Sequence, residues 1–163
     1  MSRAFVKEDD DAPDAALPDR PISEHPNKVT RQGLALLEGR RGQLETERLE
    51  LARRAADDED ARDRLRYVDR DLRYVQARLE SAVVVEPPSP GGAVGFGSIV
   101  RVLEAGGEER RYRVVGEDEA DPAAGLVSWV SPLARVLDGG QAGDRVVWRR
   151  PAGDVTLTIQ GVE

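Results

Sequence analysis

The sequence predicts an α+β protein in which an antiparallel coiled-coil hairpin precedes a small domain of strands. Three observations carry that prediction. A mirror-paired heptad pattern flanks the acidic run Asp57, Asp58, Glu59 and Asp60. A Pro- and Gly-rich stretch from Pro87 to Gly92 follows the pattern. Beyond that stretch the apolar period changes from 3.5 to 2.

Backward from the acids, Ala55, Leu51, Arg48, Leu44, Arg41, Leu37 and Leu34 recur at spacings of four and three. Forward from them, Ala61, Leu65, Val68, Leu72, Val75, Leu79 and Ala82 do the same. Each series is the seam of a helix, and so short a connector makes the two helices antiparallel neighbours. Thr30 is the expected N-cap of the first helix, which runs to about Ala56. Asp57 or Asp58 is the expected cap of the second, with Glu59 and Asp60 in its first turn, where the helix dipole favours acids. Each helix of about 26 residues would span roughly 39 Å. Gly33, Gly39 and Gly42 weaken the start of the first helix by up to about 1 kcal/mol each.

The rest of the chain is divided accordingly. Residues 1–28 read as a flexible acidic, Pro-rich tail, because Pro13, Pro18, Pro21 and Pro26 forbid a continuous helix. Ala4, Phe5 and Val6 form a small apolar patch in it. Residues 29–85 are the hairpin, 86–92 the linker and 93–163 the C-terminal domain. Strands are expected at 96–103, 111–115, 126–130, 145–148 and 155–159, in a mostly antiparallel sheet. One helix is expected at 132–137, closed by Gly139 and Gly140.

Composition narrows the function. Cysteine is absent, which excludes disulfides, thiolate zinc sites and cysteine nucleophiles. No apolar stretch approaches a membrane span, and residues 1–11 lack a signal-peptide core, so a cytoplasmic protein is expected. A net charge of −7 argues against direct nonspecific binding to nucleic acid. Residues 30–82 are neutral, their acids concentrated at the tip and Arg62, Arg64, Arg66, Arg70, Arg73 and Arg78 lining the returning helix.

Few motifs carry chemistry. The tip acids suit Mg²⁺, which takes one or two carboxylates per ion, and they equally suit a solvated, well-capped turn. The string Asp118-Glu119-Ala120-Asp121 lacks any phosphate-cradling Gly-Lys loop and reads as a turn rather than a helicase motif. His25, the only histidine, has no catalytic company nearby and reads as structural. Trp129 and Trp148 are expected on strands, as core or interface.

The run Val115-Gly116-Glu117-Asp118-Glu119-Ala120-Asp121, followed by Ser128-Trp129-Val130-Ser131-Pro132-Leu133-Ala134-Arg135, resembles the C-terminal domain of the bacterial GreA/GreB transcript cleavage factors. So do Gly143-Asp144-Arg145-Val146 and Pro151-Ala152-Gly153-Asp154. Ser2-Arg3-Ala4-Phe5-Val6-Lys7-Glu8 is similar to the start of GreB-like members, and Val29-Thr30 with Gly33-Leu34 to the start of the family's first coil helix.

The resemblance implies an FKBP-like C-terminal domain that grips the rim of RNA polymerase's secondary channel. It implies a coil whose acidic tip helps the polymerase hydrolyse backtracked RNA. The expected tip residues are then Asp57, Asp58, Glu59 and Asp60, with Asp57 and Asp58 as Mg²⁺ ligands in the complex only. The expected partner-binding residues are Asp118, Glu119, Asp121, Ser131 and Pro132. The chain would be a monomeric accessory factor, not an enzyme. It would have no cofactor of its own, use the Mg²⁺ of the polymerase active site, and meet nucleic acid only through the elongation complex. Two departures stand against the tip's part in cleavage and leave the inference of polymerase binding in place. The family tip reads G-D-L-x-E-N, unlike Ala55 to Asp60 here, and the coil is shorter by one to two heptads, each worth about 10 Å of reach. A regulator that occupies the channel without promoting cleavage is the alternative, and a peptidyl-prolyl isomerase the remote one.

Overall fold

The structure is a computed structural model and describes residues 17–163. The Ala4–Phe5–Val6 patch, the GreB-like opening and the acidic run from Glu8 lie outside the described residues. Strand β1 (Lys28–Val29) leads into helix α1 (Arg31–Arg54), and helix α2 (Glu59–Glu80) returns to strand β2 (Val83–Val84). The turn falls at residues 55–58, where the mirrored heptads put it. Thr30 caps α1, its hydroxyl accepting the Gly33 amide, and Asp58 caps α2 by accepting the Ala61 amide.

The hairpin buries a seam with one fully enclosed residue per heptad. Leu37, Leu44 and Leu51 of α1 meet Ala61, Val68 and Val75 of α2, with Leu34, Leu65, Leu72 and Leu79 half-buried beside them. Arg41 and Arg48, expected on the seam, stay exposed. Arg48 instead bridges to Asp69 at 2.6 Å and Arg64 to Glu47 at 2.8 Å, so cross-helix ion pairs flank the apolar stripe. A guanidinium keeps its hydration at the edge of a narrow two-helix seam, where burial would strip it.

The tail boundary expected at residue 28 falls inside the root of the hairpin. Asn27 is buried, and its side chain donates to Arg78 O at 2.7 Å and Ser81 Oγ at 3.1 Å. Next to it, β1 pairs in parallel with β2 and ties the two helix ends together. The linker is pinned as well. Gly91 N donates to Val162 O, and a Cβ at Gly97, whose φ is +85°, would meet Pro87 Cβ at 3.0 Å.

Beyond the linker lie β3 (Ile99–Glu104), β4 (Glu109–Val115), a 3₁₀ turn at Pro122–Ala124, β5 (Leu126–Ser128), helix α3 (Pro132–Leu137), β6 (Arg145–Trp148) and β7 (Val155–Val162). The sheet order is β5-β4-β3-β7-β6. All pairs are antiparallel except β4 with β5, because the loop between them crosses the sheet end instead of forming a hairpin. Leu133, Ala134 and Leu137 of α3 fill the core against Val100, Val102, Val114, Leu157 and Ile159. Two strand expectations shift. Phe96 lies in the turn that Gly97 makes, and Trp129 leaves the sheet in a turn after β5, its amide donating to Val115 O.

Candidate functional site

Three places hold the residues singled out from the sequence: the tip, the joint between hairpin and sheet, and the mouth of α3. At the tip the four acids are not equivalent. Asp58 Oδ1 accepts the Ala61 amide at 3.0 Å and Oδ2 receives Arg54 Nη2 at 2.5 Å. The Ala61 amide, and after it the Arg54 guanidinium, hold its carboxyl below the ordinary aspartate value. Both oxygens are therefore engaged in closing the turn. Arg62 completes it by donating to Ala55 O at 3.1 Å and Ala56 O at 3.4 Å, which caps the open carbonyls of α1. Asp57, Glu59 and Asp60 stay exposed. Of the two expected metal ligands, the geometry leaves only Asp57 with free oxygens. Among the described residues no group of three or more His, Cys, Asp or Glu is arranged to hold a metal ion.

At the joint, residues of the Asp118-Glu119 string face inward. Arg78 of α2 is 2% exposed, and its Nε donates to Asp118 Oδ2 at 2.5 Å, with Glu117 at 3.7 Å from Nη2. Asp118 Oδ1 accepts the Tyr74 hydroxyl at 2.6 Å. Partial burial, and then this bond to a carboxylate, push the Tyr74 phenol up to about 12. Glu119, 6% exposed, accepts the Thr30 hydroxyl at 2.5 Å. Gly33 makes that approach possible, since a Cβ there would sit 2.6 Å from Glu119 Oε2. Gly116 likewise admits the Lys28 carbonyl, 2.5 Å from where its Cβ would be. Asp118 and Glu119, expected to bind a partner, thus spend their carboxylates on the chain's own hairpin. Paired burial of this kind is how a buried guanidinium is tolerated.

The mouth of α3 holds the remaining expected residues. Ser131 caps α3, accepting the Ala134 amide at 3.2 Å, and Pro132 stands exposed at its first position. Asp121 caps the 3₁₀ turn through the Ala123 amide. Around Ser131 and Pro132 opens an apolar cavity of about 630 Å³, lined also by Tyr112, Val127, Leu133, Trp148 and Pro151, with Arg149 and Arg150 among its lining residues. Arg150 lies 5.0 Å over the Trp148 ring. Burial, and after it Glu104, raise the Tyr112 phenol above its ordinary value. Sequence reasoning missed Tyr74 and Asn27, and placed Arg78 on the returning helix without its buried role. The one available signal was an Arg at an inward-facing helix position beside the Leu79 seam residue, matched to acids only through the tertiary fold.

Residues 89–163 match the family described as transcription elongation factor, GreA/GreB, C-term. The transcription elongation factor GreB of Neisseria meningitidis is 42% identical over 102 residues, which cover 61% of this chain and 63% of that factor. A transcription elongation factor GreA of Cereibacter sphaeroides is 39% identical over 95 residues, covering 58% of this chain and 63% of that one. The chain thus spans less than two thirds of the length of these curated relatives. Among solved structures, GreA factor homolog 1 of Thermus thermophilus is similar at 24% identity and a TM-score of 0.41, over 85% of this chain and 99% of that one.

Proposed function

From the premise that this chain belongs to the GreA/GreB family of transcription elongation factors, we propose that it acts as an accessory factor on RNA polymerase. In this reading the sheet domain grips the polymerase, the hairpin enters the secondary channel, and the tip regulates elongation or assists cleavage of backtracked RNA. One observation carries it. Asp57, Glu59 and Asp60 stand exposed at the end of an arm whose root is fixed to the sheet domain through Arg78–Asp118 and Thr30–Glu119. Such an arm places carboxylates at a set distance from whatever the sheet domain holds. The apolar cavity at Ser131 and Pro132 suits an anchoring side chain of the partner, because buried apolar pockets dominate interface energetics.

Chemistry at the tip would be borrowed. A polymerase-bound Mg²⁺ would supply the Lewis acid, and this chain would supply carboxylate oxygens that hold water or complete a coordination shell. Asp57 fits that role by its free oxygens, with Glu59 and Asp60 as neighbours. Asp58 suits it less, since its cap and ion pair already engage both of its oxygens.

A second reading, a channel-binding regulator that does not promote cleavage, is favoured by Arg54 beside Asp58 and by the length of α1. Its 24 residues reach about 36 Å. RNA release from backtracked complexes, measured at saturating factor, separates the two. Cleavage assistance requires stimulation by wild type and a loss of about tenfold or more in Asp57→Asn at unchanged affinity, as for an interaction made in the transition state alone. No stimulation, with binding intact, leaves the regulator. No binding at all removes both readings.

A further inference from the structure

Residues 17–28 lead into the root of the hairpin and touch both halves of the molecule. On α2, Arg73 Nε donates to Asp19 at 2.7 Å and Arg73 Nη2 to Leu17 O at 3.4 Å. The Arg20 guanidinium lies 3.9 Å over the Tyr74 ring and 3.7 Å from Asp71. On the sheet domain, His25 meets Trp129 edge-on at 5.9 Å and Lys28 Nζ stands 4.3 Å over the same ring. Between these anchors, Asn27 bonds the carbonyl of Arg78, the residue that carries the salt bridge between the domains. Pro18, Pro21 and Pro26 restrict φ along the segment, so a path without helix or sheet loses little further entropy on ordering.

We infer that residues 17–28 are a strap across the joint that sets the angle of the hairpin against the sheet domain, with Tyr74 as its positioning residue. Tyr74 is where three parts of the chain meet. Its ring carries Arg20 of the strap, its backbone belongs to α2, and its hydroxyl donates to Asp118 of the sheet domain. The strap's contacts to α2 are exposed ion pairs and a stacked guanidinium, each individually weak, so the restraint comes from their sum. The mobility they restrain is that of a joint, because each half has its own core. Trp129 lies two residues before Ser131, so the strap's far anchor adjoins the mouth of α3.

The absence of cysteine makes the test direct. Spin labels are attached to the full chain at Gly42→Cys and Gly106→Cys, positions where a Cβ meets nothing within 4 Å, and the inter-label distance distribution is measured by pulsed EPR. The labelled parent should give one narrow distribution. Asp19→Ala combined with Arg20→Ala should at least double its width while far-ultraviolet circular dichroism stays unchanged. Tyr74→Phe, which keeps the ring but drops the bond to Asp118, should broaden it too, and Arg20→Lys should stay near the parent. Unchanged widths in both the strap double variant and Tyr74→Phe would overturn the proposal. So would broadening accompanied by lost helicity, since that reports a frayed hairpin and not a swinging one. The free protein is measured throughout, so the outcome is independent of whether the chain binds a polymerase.

Discussion

Glu119 accepts a hydrogen bond from the hydroxyl of Thr30, 89 residues earlier in the chain, at 2.5 Å. The same hydroxyl accepts the Gly33 amide at 2.9 Å. One side chain therefore starts helix α1 and fastens it to the sheet domain. The local cap and the tertiary contact share a single oxygen, and loss of either is felt by both.

Thr30→Ala should cost about 2–4 kcal/mol, combining a lost N-cap with a buried carboxylate left without its donor. Thr30→Ser keeps the hydroxyl and should stay within about 1 kcal/mol of wild type. A double-mutant cycle of Thr30→Ala with Glu119→Ala in urea unfolding should show coupling of about 1 kcal/mol or more. Additive losses would mean that the two residues act separately.

The three glycines of α1 should respond with opposite signs. Gly39→Ala and Gly42→Ala, with open space around each Cβ, should stabilise the helix by up to about 1 kcal/mol each. Gly33→Ala forces a Cβ against Glu119 Oε2 and should destabilise despite its better helix propensity. Thermal melts of the three single variants decide this. A stabilising Gly33→Ala would show that Glu119 yields freely.

Removing the partner of a buried guanidinium is costly. Asp118→Ala should lose about 3 kcal/mol, with Glu117 at 3.7 Å able to recover part of the pairing. The double variant Arg78→Met with Asp118→Asn removes both charges of the pair and keeps an acceptor for Tyr74, so it should lose less than Asp118→Ala alone. Equilibrium denaturation of both variants checks the order.

Two titrations report the structure. The Asp58 carboxyl is depressed below 3.8 in the folded state, so its stabilisation is present above that value and is lost as pH falls through the folded pKa. Melting temperatures of wild type and Asp58→Asn, which keeps a capping oxygen, should therefore converge in acid. The Tyr74 phenol is raised to about 12, so its contribution is complete below pH 10 and fades between about 10 and 12. In absorbance titration of the three tyrosines, Tyr74→Phe should remove the last-ionising component.

What the sequence determined by itself is the repeating part of the molecule. The heptads place the turn, the seam and both caps, because a helix's period and its orphan amides are local facts read from neighbouring residues. The α3 helix with its Ser131 cap is legible for the same reason, and so are most strands. Tertiary structure decided the rest. Arg41 and Arg48 fit the heptad but stay in water, since their burial depends on what lies across the seam. Trp129 leaves its strand to meet Lys28 and His25, residues far away in sequence. The Asp118-Glu119 pair, read locally as a turn and by resemblance as a partner contact, closes the joint by meeting Arg78, Tyr74 and Thr30. At the tip, four adjacent acids separate into one structural cap and three free carboxylates only once Arg54 and the Ala61 amide are in place. Charges and hydrogen-bonding groups carry no period, so their partners are set by the fold that brings distant segments together.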